Sequence, residues 1–204
     1  MPDKRASNNV FIKGVIQEVA EVGIENTRTK AVAEYAGFSE ATMYRLFATK
    51  EILLREAFLY IDRQVSGILT QSDYIRNPGD TPFELAIYDI WHDVFRYLLN
   101  HKKETIFLLR YRYSSLYTEE VRSKRQANDG GFNRVYELFK KHFGSSDQFC
   151  GRFLISYIFE LTLWFSEKII TGKLEDNQDT ERGIWLTISS VMNSGTLLQS
   201  AIYK

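Results

Sequence analysis

Residues 27–54 read TRTKAVAEYAGFSEATMYRLFATKEILL, and the spacing of capping, small and apolar residues in this stretch decides the fold. Thr27 can cap a helix that carries Ala31, Val32 and Ala36 and ends at Gly37. Phe38 and Ser39 then leave room only for a tight turn before a second short helix, patterned by Ala41, Met43, Tyr44 and Phe47. Thr49 caps a long helix that opens Lys50, Glu51, Ile52, Leu53, Leu54 and runs to about Leu69. Upstream, Ile12, Val15, Ile16, Val19, Ala20 and Val22 recur at helical spacing over residues 9–22, and Gly23 follows where a left-handed C-terminal cap is expected. Three short helices thus precede one long connector. Two short helices joined by a glycine-containing turn, the second polar on its outer face, form the helix-turn-helix arrangement. Alone that is a weak signal, since many bundles contain such a pair. Arg28, Thr29 and Lys30 strengthen it at the start of one helix, as do Thr49 and Lys50 at the start of another. Backbone N–H groups and cations at two helix N-termini can clamp one stretch of phosphate backbone.

Lysine and arginine number 26 against 26 aspartate and glutamate, so the formal net charge is zero and any basic surface has to be local. Near the N-terminus Lys4, Arg5, Lys13, Arg28, Lys30, Arg45 and Lys50 are offset by Asp3, Glu18, Glu21, Glu25, Glu34 and Glu40. With 44% hydrophobic and 25% charged residues the chain has the composition of a globular protein with a real core. It carries neither a run of about 18 apolar residues nor the features of a signal peptide, so a cytoplasmic location without membrane association is expected. The single cysteine, Cys150, cannot form an internal disulfide and is expected as a buried, inert thiol.

Pro2, Pro78 and Pro82 are the only prolines, which permits long helices beyond residue 82. Asn77, Pro78, Gly79 and Asp80 form a turn cluster, and Thr81 to Glu84 read as a capping box with proline in the first helical position. Apolar periodicity predicts helices near 82–100, 103–116 and 118–143, the last allowing a break at Gly130 and Gly131. Ser145 and Gln148 can box a helix over 146–171 that Gly172 ends, and a final helix covers about 180–202. No strand pattern competes.

The contiguous signature Val32, Ala33, Ala36, Gly37, Phe38, Ser39, Thr42, Met43, Tyr44, Phe47, Lys50, Glu51, Leu53 and Leu54 resembles the TetR (tetracycline-repressor) family of transcriptional regulators, over about residues 10–60. The resemblance implies an all-α fold. A homeodomain-like three-helix DNA-binding domain would span 1–52, joined by a long helix to a helical ligand-binding and dimerisation domain over 53–204. It implies a homodimeric repressor that binds double-stranded operator DNA and is released by a small-molecule effector, with no cofactor and no enzymatic activity. By that resemblance Arg28, Tyr44 and Lys50 hold phosphates, with Thr29, Lys30 and Thr49 beside them, while Ser39, Glu40, Ala41, Thr42 and Arg45 face the major groove. Arg45 is the natural guanine reader. Ala41 stands where the family often has glycine, and Glu40 where it often has a basic or polar residue; a glutamate there can accept from cytosine N4 or repel the wrong register. Lys4 and Arg5 are equally readable as a loose tail or as an arm following the minor groove. The dimer interface would lie on the last two long helices, at Phe153, Ile158, Leu161, Trp185, Ile188, Met192 and Leu198.

The larger domain repeats aromatics at helical spacing: Tyr88, Trp91 and Phe95, then Phe107 and Tyr111, then Tyr136 and Phe139, then Phe159 and Trp164. Most must pack the core. Together with polar neighbours such as His92, Arg112 and Glu160, they are the candidates to line a cavity for a small, largely apolar or aromatic effector. Catalysis finds little support. His92, His101 and His142 lie far apart, Asp89 with His92 is one weak pair, and neither a phosphate-cradling glycine loop nor a nucleophile elbow occurs. A helical ligand-binding or adaptor protein that has lost DNA binding accounts for the same neutral charge, and remains the alternative.

Overall fold

The protein, seen in a computed structural model, is described over residues 4–72, 74, 81–127, 130–143 and 148–202, with side chains left out at 4–7, 126–127, 143, 148–150 and 193–202. The described residues form helices and no strand: α1 (Lys4–Val22), α2 (Thr29–Ala36), α3 (Glu40–Phe47), α4 (Lys50–Gln71), α5 (Phe83–Asn100), α6 (Lys102–Arg112), α7 (Glu119–Ala127), α8 (Gly130–Phe143), α9 (Gln148–Ile170) and α10 (Gln178–Ile202). The expected break near Gly130 is thus a boundary between two helices. The expected turn at Asn77 to Asp80, the Ser145 cap, and the side chains of Lys4, Arg5, Cys150 and Leu198 lie outside the described residues.

Two compact units emerge, Met1–Val65 with His101–Asp129 and Ser66–Asn100 with Gly130–Lys204. This division differs from a linear cut after residue 52: the segment 101–129 packs with the N-terminal helices, and α4 contributes to both units. In the first unit Phe11, Val15, Val19, Val32, Met43, Leu54 and Phe58 are fully buried. Phe11 contacts Phe38 at 5.5 Å and Phe47 at 6.1 Å, so one ring of α1 braces both the turn and α3. Phe58 of α4 stacks on Tyr111 of α6 at 4.8 Å, and Arg125 of α7 pairs with the nearly buried Asp62 of α4 at 2.7 Å.

In the second unit α5 buries Ile87, Ile90, Trp91, Val94 and Leu98, while Val135, Tyr136 and Phe139 of α8, Phe159 and Leu163 of α9, and Ile184, Ile188 and Met192 of α10 complete the core. Gly131 sits where α8 begins against α4; its backbone N–H donates to the Ser66 hydroxyl at 3.0 Å, satisfying a donor of the first turn. A Cβ there would meet the Ser66 carbonyl oxygen at 2.4 Å. Gly131→Ala is therefore expected to lose about 1–3 kcal/mol of stability, as overpacking does. Urea unfolding measures this, and adding Ser66→Gly should not restore the loss, because the obstructing atom belongs to the backbone.

Candidate nucleic-acid interface and effector cavity

The turn between α2 and α3 follows from one glycine. Gly37 adopts φ 72° and ψ 27°, its N–H reaches the Glu34 carbonyl at 3.1 Å, and the Phe38 N–H reaches that of Ala33 at 3.0 Å. This pair of bonds closes the helix with a left-handed residue that has no Cβ penalty. Ser39 then caps α3, its hydroxyl accepting from the Thr42 N–H at 3.3 Å. At the far end Ala48 has φ 62° and ψ −48°, while the Thr49 N–H bonds the Phe47 carbonyl at 2.7 Å, a strained γ-turn. That bend sets Thr49 to cap α4 through the Ile52 N–H at 3.2 Å. Thr27, expected as the cap of α2, does not serve as one. Its hydroxyl donates back to the Gly23 carbonyl at 2.7 Å, and Arg28 occupies the capping position with no side-chain bond.

The outer face of α3 exposes Ala41, Tyr44 and Arg45, with Met43 and Phe47 turned into the core. Lys30, Ser39 and Thr49 are exposed, and Thr29, Glu40, Thr42 and Lys50 are half-buried. A short polar chain ties α3 to α2. The Tyr44 hydroxyl donates to Thr29 Oγ1 at 3.4 Å, and the Thr29 hydroxyl donates to Glu40 Oε1 at 2.5 Å. One Glu40 oxygen is therefore engaged within the protein. Lys50 Nζ donates to the Thr27 carbonyl at 3.2 Å, which holds its ammonium beside the start of α2. Arg28 Nε lies 3.5 Å from Glu18 of α1, whose side chain is only 11% exposed against 74% for the arginine. The guanidinium is thus anchored at one edge and open at the other. Sequence spacing gave no sign of Glu18 or of the Thr29 to Glu40 link, because both join separate helices.

Within the second unit a cavity of about 60 Å³ is lined by Ile87, Ile90, Trp91 and Val94 of α5, by Phe132, Val135 and Phe139 of α8, by Ile155, Ile158, Phe159 and Thr162 of α9, and by Leu69 of α4. Its polar groups satisfy one another. Trp91 Nε1 donates to Thr162 Oγ1 at 3.1 Å, and that hydroxyl donates to the Ile158 carbonyl at 2.7 Å. Of the candidate aromatics, Trp91, Phe139 and Phe159 meet here. Phe107 and Tyr111 do not, because α6 belongs to the first unit, where burial lifts the Tyr111 phenol to about 12. Phe95 stacks behind Trp91 at 5.0 Å, and Arg152 covers the Tyr136 ring at 4.6 Å. Trp164 is exposed under Lys168. Tyr88 and His92 form an outer cluster: Tyr88 contacts Trp185 at 5.0 Å, and His92 Nε2 lies 3.3 Å from Glu181. Burial, then the Glu181 and Asp89 carboxylates, raise the Tyr88 phenol above its usual value.

The expected interface residues divide in the same way. Ile188 and Met192 are buried in the unit's own core, Ile158 lines the cavity, and Trp185 packs on Tyr88 and Trp91, whereas Leu161 is half-buried and Phe153 is 61% exposed. Tyr157 and Trp164 of α9 and Leu186 of α10 are exposed as well. Helical spacing identified residues with an apolar face but could not tell which of them are buried within this unit and which stay exposed.

An all-helical chain with a separate helical unit and a glycine-turned helix pair whose second member faces outward belongs to the helix-turn-helix class. Residues 12–57 match the model described as bacterial regulatory proteins, tetR family. No curated protein matches the sequence. Among solved structures, a TetR family transcription regulator from Marinobacter aquaeolei VT8 is similar at 21% identity and a TM-score of 0.72, covering 91% of this chain and 93% of that one. The fatty acid degradation regulator FadR from Bacillus halodurans aligns at 17% identity and a TM-score of 0.67, over 88% of this chain and 96% of that one. The transcriptional regulator FadR from Bacillus subtilis, in complex with stearoyl-CoA, aligns at 16% identity and a TM-score of 0.67, over the same 88% and 96%. The fold is that of a TetR-type transcription regulator. Among the described residues no helix is long and apolar enough to cross a membrane.

Because the Ser39 cap orients α3, Ser39→Ala is expected to cost about 0.5–2 kcal/mol, with Ser39→Asp close to the parent. Thermal unfolding of the full chain, compared across the three proteins, measures it.

Proposed function

We propose that the protein is a homodimeric repressor that binds operator DNA through α3 and is released by a small, largely apolar molecule lodged in the cavity of the second unit. The carrying observation is the outward face of α3, where Tyr44 and Arg45 stand exposed beside the N-termini of α2 and α4. Those helix ends and Arg28, Lys30 and Lys50 suit phosphate contacts, while Ser39, Ala41, Thr42 and Arg45 suit base edges. Glu40, tied to Thr29, acts by holding the angle of α3. Formal neutrality of the whole chain is compatible with this reading because the local arrangement of charge, not its sum, sets the field at α3.

The cavity supports an apolar occupant because its hydroxyl and indole N–H are already paired, so a polar ligand would gain no new partner there. The similarity of fold to a FadR that holds stearoyl-CoA points the same way. At about 60 Å³ the cavity has the volume of about two waters of liquid, far below the ~300–1,000 Å³ of drug-sized sites. An effector must therefore part the lining helices to enter. Leu69 belongs to that lining and lies on the same helix as Lys50, so displacement of α4 is the route to the DNA-facing residues. Linkage requires DNA and effector to weaken each other's binding equally, typically by about 1–3 kcal/mol. A thermal-shift screen followed by operator titration tests this; stabilising ligands that leave operator affinity unchanged would refute release.

Selection from random duplexes with the purified protein should recover a palindrome. Tyr44→Phe and Lys50→Ala are expected to weaken binding to all sequences alike, whereas Arg45→Ala relaxes preference at particular base pairs by about 1–3 kcal/mol. Equal loss of selectivity in all three would contradict these roles.

Dimerisation is assigned to the exposed apolar side chains of α9 and α10, with Phe153 and Leu186 as anchors. Phe153→Glu and Leu186→Glu, at positions 61% and 58% exposed, should give folded monomers in sedimentation with reduced operator affinity. Native dimers in both variants would move the interface elsewhere.

A further inference from the structure

A second cavity, of about 230 Å³, adjoins the N-terminal end of α5 and the C-terminal end of α8 and differs in chemistry from the first. Phe83 and Ala86 of α5 and Leu138 of α8 give it an apolar floor, while Lys141, His142, Tyr74 and Thr81 bring polar groups to its edge.

The two cavities succeed one another along the pair α5 and α8. The first takes Ile87, Ile90 and Val94 from α5 with Phe139, Val135 and Phe132 from α8. The second continues with residues earlier on α5, Phe83 and Ala86, and later on α8, Leu138, Lys141 and His142. Phe83 lines one and Phe139 the other, and their rings meet edge-to-face at 5.2 Å. His142 stacks flat on the opposite partner of that pair, Phe83, at 3.9 Å. The contact between Phe83 and Phe139 joins the lining of the apolar cavity to that of the larger one, whose lining includes Lys141 and His142.

Lys141 is the telling residue. Lys140 lies 3.7 Å from Glu137, but Lys141 makes no ion pair or hydrogen bond with any described residue and is exposed at the cavity edge. A cation in the last turn of a helix also offsets the C-terminal dipole, but Lys140 and His142 in the same turn share that task. The positive end of α5 and the negative end of α8 reach the cavity together and oppose each other, which leaves the side chains to set its preference.

We propose that the groove between α5 and α8 binds one linear amphiphile, its chain in the first cavity and its anionic head group in the second, held by Lys141 with His142, Tyr74 and Thr81 as hydrogen-bonding neighbours. The proposal rests on the effector reading above and sharpens it: the ligand enters head-outward past Phe83 and Phe139, and specificity for the anion resides in Lys141. A carboxylate and a phosphate share the required chemistry.

Three probes of equal chain length separate the possibilities: dodecanoate, dodecyl phosphate and dodecanol, titrated into the full-length protein by calorimetry. At least one anion is expected to bind about tenfold or more tightly than the alcohol, as a charge-assisted contact implies. Lys141→Ala should abolish that preference and leave the affinity for dodecanol unchanged. The better of the two anions identifies the head group. Equal binding of alcohol and anions, or an anion preference that survives in Lys141→Ala, would overturn the head-group site while leaving an apolar effector in place. Failure of all three probes to bind would overturn this proposal, while the effector reading is decided separately by the thermal-shift screen and operator titration.

Discussion

The position of α4 is the constraint on which the other elements depend. Leu53, Leu54, Ala57, Phe58, Ile61 and Val65 are all buried in the first unit, and Leu69, one turn further on, is buried in the second. Burial of these side chains stabilises the helix within each unit, at roughly 25 cal/mol per Å² of apolar surface. Polar contacts fix it further: Asp62 accepts from Arg125, and Ser66 caps the start of α8. The same helix begins at Lys50, whose ammonium donates to the Thr27 carbonyl, and near its far end carries Leu69, which lines the apolar cavity.

At the N-terminal end, precision comes from short-range geometry supported by a few cross-helix contacts. The left-handed Gly37, the Ser39 cap and the bend at Ala48 set where α3 begins and ends. Phe11 then braces the turn and α3 from α1, and Thr29 joins Glu40 and Tyr44 across the helix pair. The zero net charge of the chain is compatible with a DNA-facing surface because local arrangement, not the sum, determines the field at that face. Glutamates that look like opponents of phosphate in the sequence are partly occupied by Arg28 and Thr29 in the fold.

The second unit encloses a small cavity within its apolar core. At about 60 Å³ this cavity is far below the ~300–1,000 Å³ of drug-sized sites. The outer cluster of Tyr88, His92, Glu181 and Trp185 ties α5 to α10, so the wall formed by α5 is braced from outside while its inner face lines the cavity.

The sequence by itself determined whatever depends on neighbours along the chain. The helices, the left-handed ends at Gly23, Gly37 and Gly172, and the cap at Thr49 follow from local backbone chemistry, whereas Ser39, read only as part of the turn, caps α3 in the structure. The DNA-binding segment was legible for the same reason, because its signature is contiguous. Only the tertiary structure decided which buried face meets which. Helical periodicity marks Phe107, Tyr111, Ile188 and Met192 as apolar positions facing inward, but it is silent on their partners. Thus Phe107 and Tyr111 joined the first unit instead of the cavity, and Ile188 and Met192 filled a core within the protomer. Thr27 misled because a hydroxyl near a helix start can bond backward as readily as forward, and the Gly23 carbonyl lay within its reach. Burial is written in the period of a helix; its partner is a property of three-dimensional packing, where residues far apart in sequence compete for the same apolar surface.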